Sequence, residues 1–209
     1  MAQHAVASGF IYDEVGRQHS FNSRRVPSVT QIMGGFTWFG QFKESDDTPY
    51  QIEVARQRGT YVHQLCEGHD MGMRCLDIIP ECVGYFDGWL RFLDETGMEF
   101  SAIELPAISL DRSHCGKIDR IATDGRVVEI KTGSSVGELA FVQAYAYQAM
   151  IDQGIDIVRG PPIVIQLTGD GNWQSIRAKE SRSYYANVFE SMRALSVFGS
   201  TLKRGEWCG

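Results

Sequence analysis

Gly116-Lys117-Ile118-Asp119, then the turn Thr123-Asp124-Gly125-Arg126, then Val127-Val128-Glu129-Ile130-Lys131: this stretch decides how the chain reads. The last run is β-branched and apolar on both sides of one acid, the composition of a short strand. A period of two sends Val127, Glu129 and Lys131 to one face and Val128 and Ile130 to the other. Asp124-Gly125 is a tight-hairpin signal, so the strand carrying Asp119 folds back antiparallel beside the strand carrying Glu129. Two carboxylates and one lysine thus share a small region, and Asp119 and Glu129 can converge on one cation. Hard cations such as Mg²⁺ take oxygen donors and keep positions open for water.

The neighbouring segments frame this hairpin. Upstream, Ile103 to Leu110 and His114 to Ala122 read as strands. Downstream, Leu139 to Asp152 reads as a helix and Pro162 to Thr168 as a further strand through Ile163-Val164-Ile165. Gln143 and Tyr147 fall on one face of that helix with Leu139 and Met150, which turns an amide toward the sheet, where it needs partners. Tyr50 to His69 predicts a helix weakened by Gly59, with Val62, Leu65 and Cys66 on its apolar side and His63 above Glu67. Residue chemistry alone leaves His63 open between a structural histidine and a ligand. Glu81 to Glu95 predicts a second amphipathic helix on Val83, Phe86, Leu90 and Leu93. Ser183 to Phe198 predicts a last one on Tyr184, Val188, Met192 and Leu195. Near the N-terminus, Phe10-Ile11-Tyr12 and His19-Ser20-Phe21 predict a hairpin. Ser28 and Gln31 have the spacing of a capping box for a helix that Gly34-Gly35 ends. The aromatic cluster Phe36-Thr37-Trp38-Phe39-Gly40-Gln41-Phe42 reads as core or as a base-stacking platform.

Gly-x-x-Asp at 116–119, the hairpin, Glu-x-Lys at 129–131 and Gln143-x-x-x-Tyr147 together resemble the RecB-like, Cas4-like branch of the PD-(D/E)XK nuclease superfamily. Arg58-Gly59-Thr60-Tyr61-Val62-His63 is similar to the helical histidine motif of that branch. Val26-Pro27-Ser28-Val29-Thr30-Gln31-Ile32 is similar to a segment of its bacteriophage-encoded members. The likeness covers roughly residues 10 to 168, and Ile118 stands where the family's proline would precede Asp119. The resemblance implies an α/β fold with a restriction-endonuclease-like αβββαβ core on a mixed sheet. We expect a single domain over 1–209, with its core at about 50–170, a hairpin and helix at 9–35 and a C-terminal helix at about 183–198. It also implies a Mg²⁺- or Mn²⁺-dependent deoxyribonuclease using one or two ions, with an exonuclease preferred. A structure-specific or restriction-like endonuclease and an inactive nucleic-acid-binding module of the same fold are the alternatives.

By the same likeness Asp119, Glu129, Lys131, Gln143 and Tyr147 form the catalytic set, with His63, Glu104, Asp119, Glu129 and the Ile130 carbonyl around metal. Lys131 would stabilise the pentacovalent phosphate or orient hydroxide; an ion pair with Glu129 is compatible with that role. DNA is the implied partner, contacted by Arg24, Arg25, Arg58 and Lys117. A single-strand annealing or replication protein is a candidate recruiter.

Composition narrows the classes further. The chain has 43% hydrophobic and 22% charged residues, an ordinary globular balance. No run approaches a membrane span and Met1 to Phe10 lacks the pattern of a signal peptide, so the expected location is the cytoplasm, a host cell's if the protein is phage-encoded. Five widely spaced cysteines argue against a disulfide framework, and with only Cys208 after Cys115 no iron-sulfur cluster is expected. A net charge of −6 opposes nucleic-acid binding unless the site acids are offset by metal and local basic clusters meet the backbone. The only Gly-Lys pair precedes Ile118, which leaves no phosphate-binding loop of the ATPase type.

Overall fold

The computed structural model describes residues 8–13, 15–16, 18–36, 49–73, 77–152 and 160–203. Residues 37–42 of the aromatic cluster and two of the five cysteines, Cys75 and Cys208, lie outside them.

The N-terminal segment forms three short antiparallel strands, β1 (Phe10–Ile11), β2 (His19–Phe21) and β3 (Arg24–Val26), one more than the hairpin expected. The third arises because Asn22 and Ser23 take left-handed backbone (φ 47° and 65°) and reverse the chain within two residues. Helix α1 (Val29–Gly34) starts at the expected box: Ser28 Oγ accepts from the Gln31 N–H at 3.1 Å, and Gln31 Oε1 accepts from the Ser28 N–H at 3.0 Å.

Two longer helices follow, α2 (Pro49–Asp70) and α3 (Pro80–Thr96). Pro80 opens α3, and Gly97, left-handed at φ 63°, closes it. The buried face of α3 is Cys82, Phe86, Trp89 and Phe92 rather than the stripe through Val83, which is exposed. Two large rings define that face: Trp89 stacks on Phe100 and packs against Phe92.

Strands β4 (Phe100–Ile108), β5 (Cys115–Ala122) and β6 (Val127–Thr132), helix α4 (Glu138–Asp152), and strands β7 (Ile163–Leu167) and β8 (Trp173–Ile176) then build one mixed sheet in the order β4-β5-β6-β7-β8. β8 has no counterpart in the sequence reading. Only β6 and β7 are parallel, joined by the α4 crossover. Helix α5 (Arg182–Lys203) closes the chain on Tyr185, Phe189 and Met192, with Tyr184 and Leu195 exposed; the buried face lies one residue beyond the expected one. Tyr185 sets it by stacking on Tyr145 and donating to Glu138 at 2.6 Å.

The sheet separates two hydrophobic cores. One gathers α1, α4 and α5 around Ile118, Ile121 and Val127; the other gathers α2 and α3 around Val128, Ile130 and Ile165. Val127 and Val128 thus point to opposite layers, as the period of two requires. No helix among the described residues is long and apolar enough to cross a membrane.

Candidate metal and catalytic site

The ladder between β5 and β6 is registered only at Arg120↔Val128 and Ile121↔Val127. Beyond Arg120 the Asp119 side chain replaces a strand carbonyl, its Oδ2 accepting the Ile130 N–H at 2.8 Å. The Asp119 side chain is therefore fixed to β6 by that strand's backbone N–H. On its other side β4 is irregular between Phe100 and Ala102, and Glu104 takes a left-handed backbone at φ 46°. Such a conformation in a non-glycine residue persists only where its surroundings over-determine it.

Those surroundings are charged. Glu104 Oε1 accepts from Arg120 Nη1 at 3.0 Å and Oε2 pairs with Lys117 Nζ at 2.9 Å. Arg120 is fully buried and also donates to Asp70 Oδ2 at 2.7 Å, while Trp89 Nε1 donates to Asp70 Oδ1 at 3.0 Å. Neither Asp70 nor Arg120 was among the expected site residues. The signal available is an arginine inside the otherwise apolar run Ile118 to Ala122, apart from Asp119. A buried charge must be paired, and the partners are an acid at the end of α2 and the site's own glutamate.

His63, Glu104 and Asp119 bring one ligand atom each to within 4.8 Å of one another, the one such group among the described residues. His63 Nδ1 lies 3.4 Å from Asp119 Oδ1 and 3.9 Å from Glu104 Oε1. Its Nε2 lies 3.2 Å from the Ile130 carbonyl oxygen. A carbonyl can only accept, so Nε2 carries the hydrogen, and in the neutral ring Nδ1 turns a lone pair toward two carboxylates. That arrangement calls for a cation between them. Without a metal a proton takes the place: burial opposes the imidazolium, but Asp119 and Glu104 prevail and hold the His63 pKa up at about 10. Burial likewise pushes the Asp119 carboxyl up, and the His63 and Lys131 charges more than reverse it, leaving Asp119 below its ordinary range.

Glu129 contributes no atom to that group. Its Oε1 accepts from Lys131 Nζ at 2.7 Å, and its Oε2 is buried with no hydrogen-bond partner among the described residues. Burial, followed by the Asp119 charge, lifts its pKa to about 7. Lys131 Nζ also donates to Gln143 Oε1 at 2.9 Å, and Gln143 Nε2 donates to the Tyr147 hydroxyl at 3.3 Å. Burial works against the Lys131 ammonium, but Glu129 and Asp119 outweigh it and keep it charged. The chain Glu129–Lys131–Gln143–Tyr147 is continuous from β6 to α4. Gly116 makes room for it: a Cβ there would stand 2.4 Å from Tyr147 Cε1. Gly59 has the corresponding place on α2, where a Cβ would meet Thr132 Oγ1 at 3.2 Å.

The residues present fit a divalent cation: an imidazole that binds once its Nδ1 proton is displaced, two carboxylates held by hydrogen bonds, and a third carboxylate with an orphaned buried oxygen nearby. The Ile130 carbonyl, expected as a ligand, is engaged by His63 Nε2 and serves as the ring's orienting partner.

The expected DNA contacts separate. Lys117 is drawn to Glu104. Arg58 lies with its guanidinium 5.0 Å from the Tyr85 ring centre, packing α2 on α3. Arg24 and Arg25 are exposed on β3. Gln148, a further buried amide, accepts from the Val127 N–H at 2.8 Å and steadies the start of β6. A pocket of about 280 Å³ opens beside Lys131 and Gln143, floored by Met33 and rimmed by Gly133, Ser135 and Gly137. No protein-family model and no curated protein matches this chain.

Proposed function

We propose that the protein is a metal-dependent deoxyribonuclease of the PD-(D/E)XK type, with the RecB-like arrangement of motifs and a restriction-endonuclease-like core. The observation that carries this reading is the convergence of His63, Glu104 and Asp119 beside a lysine clamped between Glu129 and Gln143. A purely structural ion-pair cluster explains Lys131 with Glu129. A protonated His63 between Asp119 and Glu104 fits such a cluster as well, but a buried Glu129 carboxylate oxygen left without a donor does not.

His63, Glu104 and Asp119 would hold the ion, with Glu129 adjoining through Oε2. An imidazole nitrogen in the donor set favours Mn²⁺ over Mg²⁺. When bound, the ion supplies Lewis-acid polarisation of the phosphate and a hydroxide at neutral pH. The chain's own groups do the rest. Lys131, kept protonated, offers its ammonium to the negative charge that grows on the phosphate in the transition state. Gln143 and Tyr147 fix where that ammonium stands. Asp119 and Glu104 hold their geometry through the Ile130 N–H, Arg120 and Lys117, so little reorganisation accompanies reaction. An open pocket next to Lys131 leaves space for the scissile strand.

The substrate is DNA and the preferred mode exonucleolytic, a preference that rests on analogy to phage recombination and replication nucleases of similar size. Purified protein incubated with linear and closed circular DNA in Mn²⁺, Mg²⁺ or EDTA tests it. Metal-dependent loss of linear DNA alone supports the exonuclease. Cutting of circles moves the assignment to an endonuclease, and binding without cleavage in any metal moves it to an inactive binding module.

A further inference from the structure

A second charged feature lies beside the start of β5. The β2–β3 turn and the β4–β5 connection face one another across a cleft of about 590 Å³, whose walls include Phe21, Asn22, Arg24, Arg25, Asp111 and Arg112. The two walls are held together where Cys115 donates its N–H to the Pro27 carbonyl at 3.0 Å and bridges Ser28. Both walls carry non-glycine residues in left-handed backbone: Asn22 and Ser23 on one, Arg112 (φ 56°) on the other. The cleft is thus built by two specific turns.

Its cations are available. Among the described residues, no carboxylate pairs with Arg24, Arg25 or Arg112, whereas Lys117 is committed to Glu104 and Arg120 to Asp70 and Glu104. Arg112 stacks on the Phe21 ring at 4.6 Å and donates one Nη1 bond to the Leu110 carbonyl at 3.4 Å. The ring contact supports the guanidinium, and Arg112 is exposed, so its fork of N–H groups is open to a phosphate. The one acid on the wall, Asp111, is exposed but hydrogen-bonded within its own turn: Ser109 Oγ donates to it at 2.6 Å and the Ser113 N–H at 3.1 Å. Arg193 on α5 lies near enough to feel its charge. Three arginines against one internally satisfied carboxylate leave the cleft net positive on a chain whose formal charge is −6.

We propose that this cleft binds backbone phosphates of the DNA strand away from the reacting bond, an inference that rests on the nuclease reading and adds its substrate track. From Cys115, which ties the two cleft-bearing segments together, to Asp119 is four residues of strand, about 13 Å at roughly 3.3 Å each. That distance corresponds to roughly four nucleotides at about 3.4 Å per step. That span is short enough for one DNA strand to reach both places. Arg24, Arg25 and Arg112 hold it, and the site at Asp119 acts on a phosphodiester several nucleotides away.

The test is fluorescence anisotropy of a labelled DNA duplex with the full-length protein in EDTA, titrated with sodium chloride. The proteins compared are wild type, Arg24→Ala/Arg112→Ala, Arg112→Lys and Lys179→Ala, an exposed residue remote from the cleft. All are surface changes, so circular dichroism should be unaltered. We expect the double variant to bind about tenfold more weakly and to lose about 1.8 from the slope of log affinity against log salt, at about 0.9 per phosphate released. Arg112→Lys should recover the slope but only part of the affinity, since the fork and the stack are gone. Lys179→Ala should match wild type. Equal affinity and slope for the double variant and Lys179→Ala would overturn the proposal, even if the protein cuts DNA; so would a wild type that binds no DNA. Binding that depends on the arginines in a protein that cuts nothing would uphold the cleft and sink the nuclease reading. Inorganic phosphate at matched ionic strength should displace no more DNA than chloride; greater displacement, lost in the double variant, would assign the cleft to a free anion instead.

Discussion

His63 on α2 and Ile130 on β6 are joined by a 3.2 Å hydrogen bond from Nε2 to the backbone carbonyl, 67 residues apart in the chain. The bond does two things at once. It docks the long helix on the central strand, where Gly59 lets the two approach, and it fixes which imidazole nitrogen faces Asp119 and Glu104.

A metal that binds Nδ1 must displace a proton. His63 has a pKa of about 10 in the metal-free protein, above the ordinary 6.5, so it is protonated throughout the neutral range. The sign follows: its charge stabilises the metal-free fold fully below about pH 6.5, and that contribution is lost as pH rises through about 10. Mn²⁺ affinity should therefore rise about tenfold per pH unit between 7 and 9, with close to one proton released per ion. Calorimetry in buffers of different ionisation enthalpy measures both.

Glu129 has the opposite sign. Its folded pKa of about 7 lies above the ordinary 4.5, so ionising it costs the folded protein more than the unfolded chain. That penalty is absent below about pH 4.5 and grows until about pH 7. Glu129→Gln should flatten the fall in metal-free Tm over that window, and above pH 7 the variant should melt higher than wild type. Saturating Mn²⁺ should remove the advantage, because a cation satisfies the orphaned oxygen. Differential scanning fluorimetry at several pH values checks all three.

Arg120→Met removes the cation that holds Asp70 and Glu104 together in the interior. Stripping the buried guanidinium from both acids, which keep only Lys117 on Glu104 and Trp89 with His69 on Asp70, should destabilise the protein by about 3–5 kcal/mol in urea denaturation. Adding Asp70→Asn should recover part of the loss, since one of the stranded charges is gone.

Gly116→Ala places a methyl group 2.4 Å from the Tyr147 ring. The expected cost is about 1–3 kcal/mol. In a Tyr147→Ala background the same substitution should cost far less, and a double-mutant cycle on equilibrium unfolding reads the coupling.

How far the sequence could be read depends on the kind of interaction. Alternating apolar residues and turn chemistry are local, and with them the hairpin 115–132, the α1 capping box and the helices near 50–70 and 139–152 were legible. The helical faces of α3 and α5 were each misjudged by about one residue, because Trp89, Phe92 and Tyr185 are placed by partners far along the chain. β8 is short and half polar and exists only as an edge paired to β7. Within the site, Asp119, Glu129 and Lys131 announce themselves by spacing. The Asp70–Arg120–Glu104 chain does not, since its members are 50 and 16 residues apart and meet only through the fold.

The most direct test of the account is single-turnover cleavage of linear DNA in saturating Mn²⁺ by wild type and Asp119→Asn, with DNA affinity measured in parallel. The isosteric amide can still accept the Ile130 N–H but removes the charge that faces His63. We predict cleavage by wild type and a loss of at least about 10²–10³ in rate for Asp119→Asn with DNA affinity retained. Cleavage by Asp119→Asn at the wild-type rate, or none by wild type in Mn²⁺, would contradict a catalytic metal centre at His63, Glu104 and Asp119.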